Sequence, residues 1–250
     1  MRNNFKPEKK QNNNTRTKLL QSACKVFAEK SYRDATVAEI CSHAGANVAA
    51  VNYYFSSKKA LYAEAWRLAF NRSLEVYPPD GGVPSDAPAE QQLRGRIYAI
   101  ICRLADTDAC EFDIASKEMI NPTGLLSEVM RKSIEPLICG FESIIRKLLG
   151  GRASQQHVQL CRMSIMAQCF NMMIRTRFHS VPPAAANNTK MALPKIDIEI
   201  MADHITRFSL AGIRQIRRQI ENGRPNGNNK VAKNIKTVYR KQRNAEEVMI

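Results

Sequence analysis

With 250 residues, 44% of them hydrophobic, the chain can bury a core as one large or two small domains, which argues against a disordered or fibrous protein. Its formal net charge of +15 sits at the ends: 11 basic against 5 acidic residues over 1–65, 17 against 15 over 66–212, and 10 against 3 over 213–250. Basic ends favour polyanions, either nucleic acid or an acidic lipid surface, because a patch that neutralises phosphates releases counterions.

The opening MRNNFKPEKKQNNN lacks the apolar core of a signal peptide and reads as a flexible basic arm, residues 1–14. No apolar run is long enough to span a membrane, so a cytoplasmic protein is expected. TRTKLLQSACKVFAEK places Leu20, Cys24 and Phe27 on one helical face, flanked by Leu19, Ala23 and Val26. Beyond it PPDGGVPSDAP (78–88) reads as a loop. Leu93, Ile97, Ile101 and Leu104 then repeat the helical spacing, as do Val129, Ser133, Leu137, Phe141, Ile144 and Leu148 in a helix that Pro136 is expected to kink. Residues 158–178 are apolar nearly all round. After a second loop, PPAAANNTKMALPK (182–195), the last long stripe is Ile198, Met201, Ile205, Phe208, Gly212 and Ile216. A basic tail over 223–250 keeps helical spacing at Val231, Ile235 and Val238, readable as a short docked helix, a DNA or membrane-surface contact, or disorder, of which disorder is the favoured reading. Nothing alternates with a period of two, so the chain is all-α. Seven cysteines, an odd number without a CxxC pair, read as buried free thiols.

The most informative stretch is TVAEICSHAGANVAAVNYYFSSKKAL, residues 36–61. Thr36 followed by Glu39 is a capping box, starting a helix whose core face is Val37, Ile40, Cys41 and Ala44. Gly45 supplies a left-handed stop and Asn47 caps the next helix, so two short helices meet across about three residues, the spacing of a helix-turn-helix. In the second helix Val48, Val51 and Phe55 are expected inside, with Ala49, Asn52, Tyr53 and Ser56 outside. Alanine methyls permit close approach in a major groove and can touch thymine, and an amide such as Asn52 can bond adenine bidentately. Tyr53, Tyr54 and Lys58, with Ser57 starting a further helix, suit phosphate oxygens.

Residues 15–61 resemble the N-terminal domain of the TetR family of bacterial transcriptional regulators, with Phe27, Thr36, Val37, Ile40, Ala44, Gly45, Phe55, Ser57, Lys58 and Leu61 in register. The Asn-Tyr-aromatic-Phe form and the helical remainder look most like its CecR-like branch. Ser31, Cys41 and Ala46-Asn47 stand where the family usually has Gly, Ala and Val-Ser, while Asn52 and Tyr54 replace its usual Tyr and His. The resemblance implies phosphate contacts from Thr36, Tyr53, Tyr54 and Lys58, base-edge contacts from Val48, Ala49 and Asn52, and further phosphate or minor-groove contacts from Lys6, Lys9, Lys10 and Arg16 of the arm. Asn47 joins that interface at the cap, and Tyr54 can equally pack against the first helix.

The same resemblance implies a DNA-binding domain over 15–65 and a helical ligand-binding and dimerisation domain over 66–222. The last two long helices, about 155–179 and 197–221, would pair with their symmetry mates. The protein would be a homodimeric repressor of a palindromic site in double-stranded DNA, released by a small apolar or amphipathic effector, with no cofactor, metal or membrane. For the effector, Met119, Met130, Met163, Met166, Met172 and Met173 either line an adaptable pocket or are ordinary core, and Gln168, Asn171, Arg175 and His204 are the polar candidates. Two rival classes remain. His157 and Cys161, four apart, have the spacing of a metal or thiolate pair but lack a third partner, and the chain has no Walker, GxSxG, HExxH or GxGxxG motif. An RNA- or membrane-surface-binding protein would account for the basic ends but not for the caps and Gly45.

Overall fold

The computed structural model describes residues 7–177 and 197–223. Lys6, the 182–195 loop and residues 224–250 lie outside the described residues, as do the side chains of Lys9, Lys10, Met172, Met173 and Arg175. The described residues form only helices: α1 (Pro7–Asp34), α2 (Val37–Ala44), α3 (Val48–Phe55), α4 (Lys58–Val76), α5 (Ala89–Ala105), α6 (Cys110–Ile120), α7 (Ser127–Leu149), α8 (Gln155–Arg177) and α9 (Ile198–Glu221). The all-α class is therefore as expected, and 78–88 is the loop between α4 and α5.

The first core joins Leu19, Val26 and Phe27 of α1 to Ile40 of α2, Val51 and Phe55 of α3, and Leu61, Tyr62 and Trp66 of α4. Each large apolar side chain buried here contributes about 1.5–3 kcal/mol. Ile114 of α6 and Leu126 and Val129 around the start of α7 complete the same cluster, so the N-terminal helices stand on a platform that begins at Cys110, well beyond the end of α4 at Val76. Helix α1 extends back to Pro7, a residue whose fixed φ suits a first helical position, and so takes in residues expected to form the arm. It breaks at Ser31, which holds φ 75° and ψ 169°, where the family usually places glycine.

The second core is a bundle of α5, α7, α8 and α9, built on Leu93, Ile97 and Ile101, on Phe141 and Ile145, on Val158 and Ile165, and on Ile205 and Ile213. Helix α7 continues through Pro136. In α9 the buried line is Ala202, Ile205, Thr206, Ser209 and Ile213, rotated from the expected stripe. Small residues there let the helix approach its neighbours closely. The larger Ile200 and Phe208 point outward, 67% and 64% exposed.

Candidate nucleic-acid interface and effector cavity

Local chemistry sets the angle between α2 and α3. Thr36 Oγ1 accepts from the Glu39 backbone N–H at 3.1 Å. Lys30, and more weakly the Thr36 backbone, hold the Glu39 carboxyl below its ordinary pKa. At the other end Gly45 sits at φ 62°, its N–H bonds to Ser42 and that of Ala46 bonds to Cys41, the paired bonds of a Schellman stop. Asn47 Oδ1 then accepts from the Ala49 N–H at 2.9 Å and opens α3. After α3, Ser56 turns the chain at φ 62° and Ser57 caps α4 through the Ala60 N–H.

The outcome is an eight-residue helix with Val51 and Phe55 buried and an outer face of Ala49, Asn52 and Tyr53, the last 73% exposed. Val48, expected inside from the helical pattern, is instead 47% exposed, because as the first residue of α3 it precedes the turn that meets the core. Thr36 and Asn47 are exposed and their oxygens already serve as caps. Tyr54 is half-buried against the first core, its ring edge-on to Tyr53 with centroids 4.8 Å apart. Lys58 is half-buried with Nζ 4.5 Å from the Tyr32 ring, and burial holds its pKa below the ordinary lysine value against the pull of Asp34. Arg16, expected to reach out from the arm, is tied to Glu64 and lies over the Phe55 ring at 5.2 Å.

A cavity of about 300 Å³ opens where α4, α5, α6, α7 and α8 converge. Its apolar wall includes Phe70, Leu104, Phe112, Leu137, Phe141 and Met166, and Arg96, Arg103 and Arg162 also line it. Arg103 bonds Glu111 at 3.1 Å and Ser73 at 3.1 Å, joining α5 to α6 and α4. Burial pushes the Glu111 carboxyl above its ordinary range, with Ser73 and Arg103 opposing. Arg162 pairs with Glu142 at 2.9 Å. At the far end of α6, Glu118 accepts from the Tyr62 hydroxyl at 3.2 Å and from Thr123 and Gly124, fastening α6 to α4. Burial, and then Glu118, push the Tyr62 hydroxyl pKa up.

Residues 19–65 match the family model of bacterial regulatory proteins, tetR family, and residues 89–213 match the C-terminal domain of the HTH-type transcriptional dual regulator CecR. The chain belongs to the TetR family. It is a DNA-binding transcriptional regulator with a CecR-type C-terminal domain, and not an enzyme. No curated protein matches it. Among solved structures it is similar to a TetR-like transcriptional regulator from Rhodococcus sp. RHA1, at 16% identity and TM-score 0.58 over 80% of this chain and 96% of that one. It is also similar to the fatty acid degradation regulator FadR from Bacillus halodurans, at 15% and 0.58 over 80% and 96%. A third is AibR, solved with isovaleryl coenzyme A and operator DNA, at 14% and 0.57 over 78% and 97%. These likenesses establish the fold.

Within this TetR-family chain the expected effector residues fare unevenly. Met166 lines the cavity, Met130 packs on the first core, and Met119 and Met163 are exposed. Gln168 bonds the Ser164 carbonyl, Asn171 is exposed and His204 stacks on Phe208, so none of these three lines the cavity. His157 is occupied by Ser154 at 3.0 Å, and burial raises the Cys161 thiol pKa, away from the thiolate that a metal or nucleophile role needs. None of the seven cysteines is in a disulfide, and Cys139 is exposed and Cys110 half-buried rather than enclosed. The three cavity arginines were missed, although Arg96, Ile100 and Arg103 share one face of α5 at i, i+4 and i+7. No helix among the described residues is long and apolar enough to cross a membrane.

Proposed function

We propose that this regulator is a cytoplasmic homodimeric repressor that reads a palindromic operator and is released when its cavity fills. The observation that carries the reading is the outer face of α3, where Val48, Ala49, Asn52 and Tyr53 are exposed and no part of the first core depends on them. Residues 15–65 form the DNA-binding unit and 66–222 the effector and dimerisation unit. Asn52 bonds a base edge, Val48 and Ala49 touch thymine methyls, and Thr36, Asn47, Tyr53 and Lys58 hold phosphates beside the positive end of α4. Tyr54 braces Tyr53 from the core side.

Dimerisation is supported by apolar faces that point away from the second core. On α8 these are Leu160 and Met163, and on α9 Ile200 and Phe208, all exposed in the single chain. Pairing them about a two-fold axis gives a four-helix bundle and sets the two α3 helices about 34–36 Å apart, one turn of DNA. Phe70 of α4 and Phe112 of α6 border the cavity, while Tyr62 and Ile114 on the same helices belong to the core under α3. A ligand that favours one arrangement of α4 and α6 thus changes the spacing of the reading heads, for which about 1–3 kcal/mol of coupling suffices. The structural neighbour AibR, solved with both an acyl coenzyme A and its operator, supports a ligand-responsive mode.

The test is selection of bound duplexes from a random DNA library by the full chain at about 0.15 M salt, where non-specific affinity is weakened. Enrichment of a two-fold symmetric site is the expected result. Enrichment of nothing, or equal capture of RNA and acidic vesicles, overturns the proposal.

A further inference from the structure

Three arginines line the cavity, and among the described residues two of them have a counter-ion. Arg103 and Arg162 are neutralised by Glu111 and Glu142. Arg96 makes no ion pair or hydrogen bond among the described residues, and its Nε is buried without a partner. Asp80 is the acid nearest in influence, yet its Oδ1 accepts from the Gly82 N–H at 2.8 Å and it does not pair with Arg96. A guanidinium partly withdrawn from water beside apolar walls, with its Nε fully buried, is costly unless an anion meets it.

The backbone is also shaped around this group. A Cβ on Gly140 of α7 would stand 2.9 Å from Arg96 Nη2, so the guanidinium occupies the space that a side chain there would take. Gly95 next to it lets the 78–88 loop close down, since a Cβ there would meet the Asp80 carbonyl at 2.3 Å. Burial depresses the Arg96 pKa, opposed by Asp80 and assisted by Arg103. An incoming negative charge removes that penalty.

We propose that the cavity takes a small organic acid, an apolar body of about ten to fifteen heavy atoms bearing one carboxylate that the Arg96 fork grips bidentately. The inference rests on the cavity being the effector site and names the chemical class it selects. The volume of about 300 Å³ has room for about ten waters at about 30 Å³ each, which sets the ligand size. Phe70, Phe112, Leu137 and Phe141 surround the apolar body.

The probes are 4-phenylbutyrate, octanoate and 1-naphthylacetate, each against its own primary amide, titrated into the full-length protein by calorimetry and thermal shift at neutral pH. A charge-assisted hydrogen bond is worth about 1.5–3 kcal/mol, so the best-fitting acid is expected to bind about ten- to a hundredfold tighter than its amide. Arg96→Met should erase that advantage, Arg96→Lys should keep part of it, and Gly140→Ala, which displaces the guanidinium, should reduce it. The proposal is overturned if no acid outperforms its amide on the wild type, or if the advantage survives Arg96→Met in protein that still melts cooperatively. Should Arg96→Met fail to fold, an undiminished preference in Gly140→Ala and Arg96→Lys overturns it equally. Duplex selection on the same wild-type protein separates the two readings: a palindrome without acid preference removes only the ligand class, and acid preference without any enriched DNA removes the repressor.

Discussion

Replacing Arg103 by Met probes both the stability of the second domain and its link to the DNA-binding helices. The pair it forms with Glu111 is nearly dry, with side-chain exposures of 9% and 2%. Removing one partner of such a pair leaves the other buried and uncompensated, at about 3–5 kcal/mol. For a chain of this size that corresponds to a fall in Tm of about 6–20 °C. Glu111 Oε2 has no hydrogen-bond partner even with Arg103 in place, so without Arg103 the carboxylate keeps only the opposing Ser73 hydroxyl. The loss should also depend on pH. The Glu111 carboxyl is held above its ordinary range by burial, so the fold retains a proton that the unfolded chain releases, and stability falls as pH rises through that window. Arg103 opposes the shift; without it the folded pKa climbs further and the window widens. Urea unfolding is therefore expected to show a larger deficit for Arg103→Met at pH 8 than at pH 5. The double variant Arg103→Met/Glu111→Leu, with no buried charge left, should recover most of the stability. A deficit independent of pH, or a double variant no more stable than Arg103→Met, would refute the reasoning. A recovered double variant that still shows weakened operator affinity or weakened ligand response identifies the Arg103–Ser73 contact as part of the coupling between α5 and α4.

Four further substitutions test three separate parts of the molecule. Asn52→Ala should relax preference at one base pair by about 1–3 kcal/mol, while Tyr53→Phe should weaken every sequence alike by about 1 kcal/mol, both read from binding to a mutated operator series. An equal loss on all sequences for Asn52→Ala rules out its base-reading role. Phe208→Glu, on the exposed face of α9, should shift sedimentation from dimer to monomer and abolish cooperative occupancy of the two half-sites, whereas an unchanged dimer removes α9 from the interface. Ser31→Gly should raise Tm, because φ 75° with ψ 169° is a conformation glycine alone adopts cheaply. Relief of about 1–3 kcal/mol of strain exceeds the entropy cost of glycine, about 0.5–1 kcal/mol, and the loss of the exposed Ser31–Asp34 hydrogen bond. A lower Tm would show that this bond and its turn outweigh the strain.

What the sequence disclosed and what it hid follow one physical division. The turn between α2 and α3 was legible because its determinants are local: Thr36, Gly45 and Asn47 act through bonds to residues within four positions. Val48 misled because a helical wheel assigns a face without knowing where along the helix the core begins. The α9 stripe slipped for a related reason. A helix with two apolar faces, one for its own bundle and one turned outward, has no single periodicity, and only packing decides that Ser209 goes in while Phe208 stays out. The cavity was hidden for the opposite reason, since its polar groups are far apart in the chain. Arg103 finds its acid on α6, Arg162 finds its acid on α7, and the vacancy at Arg96 exists only by comparison with those two. Arg96 next to Ile97 reads as an ordinary solvated flank until Gly140, 44 residues on, leaves the space that receives its guanidinium. On the proposed reading, specificity for DNA thus lies in short-range chemistry and specificity for the effector in long-range chemistry. One such helix-turn-helix can consequently serve many ligands, because Thr36, Gly45 and Asn47 make no contact that depends on the residues around Arg96.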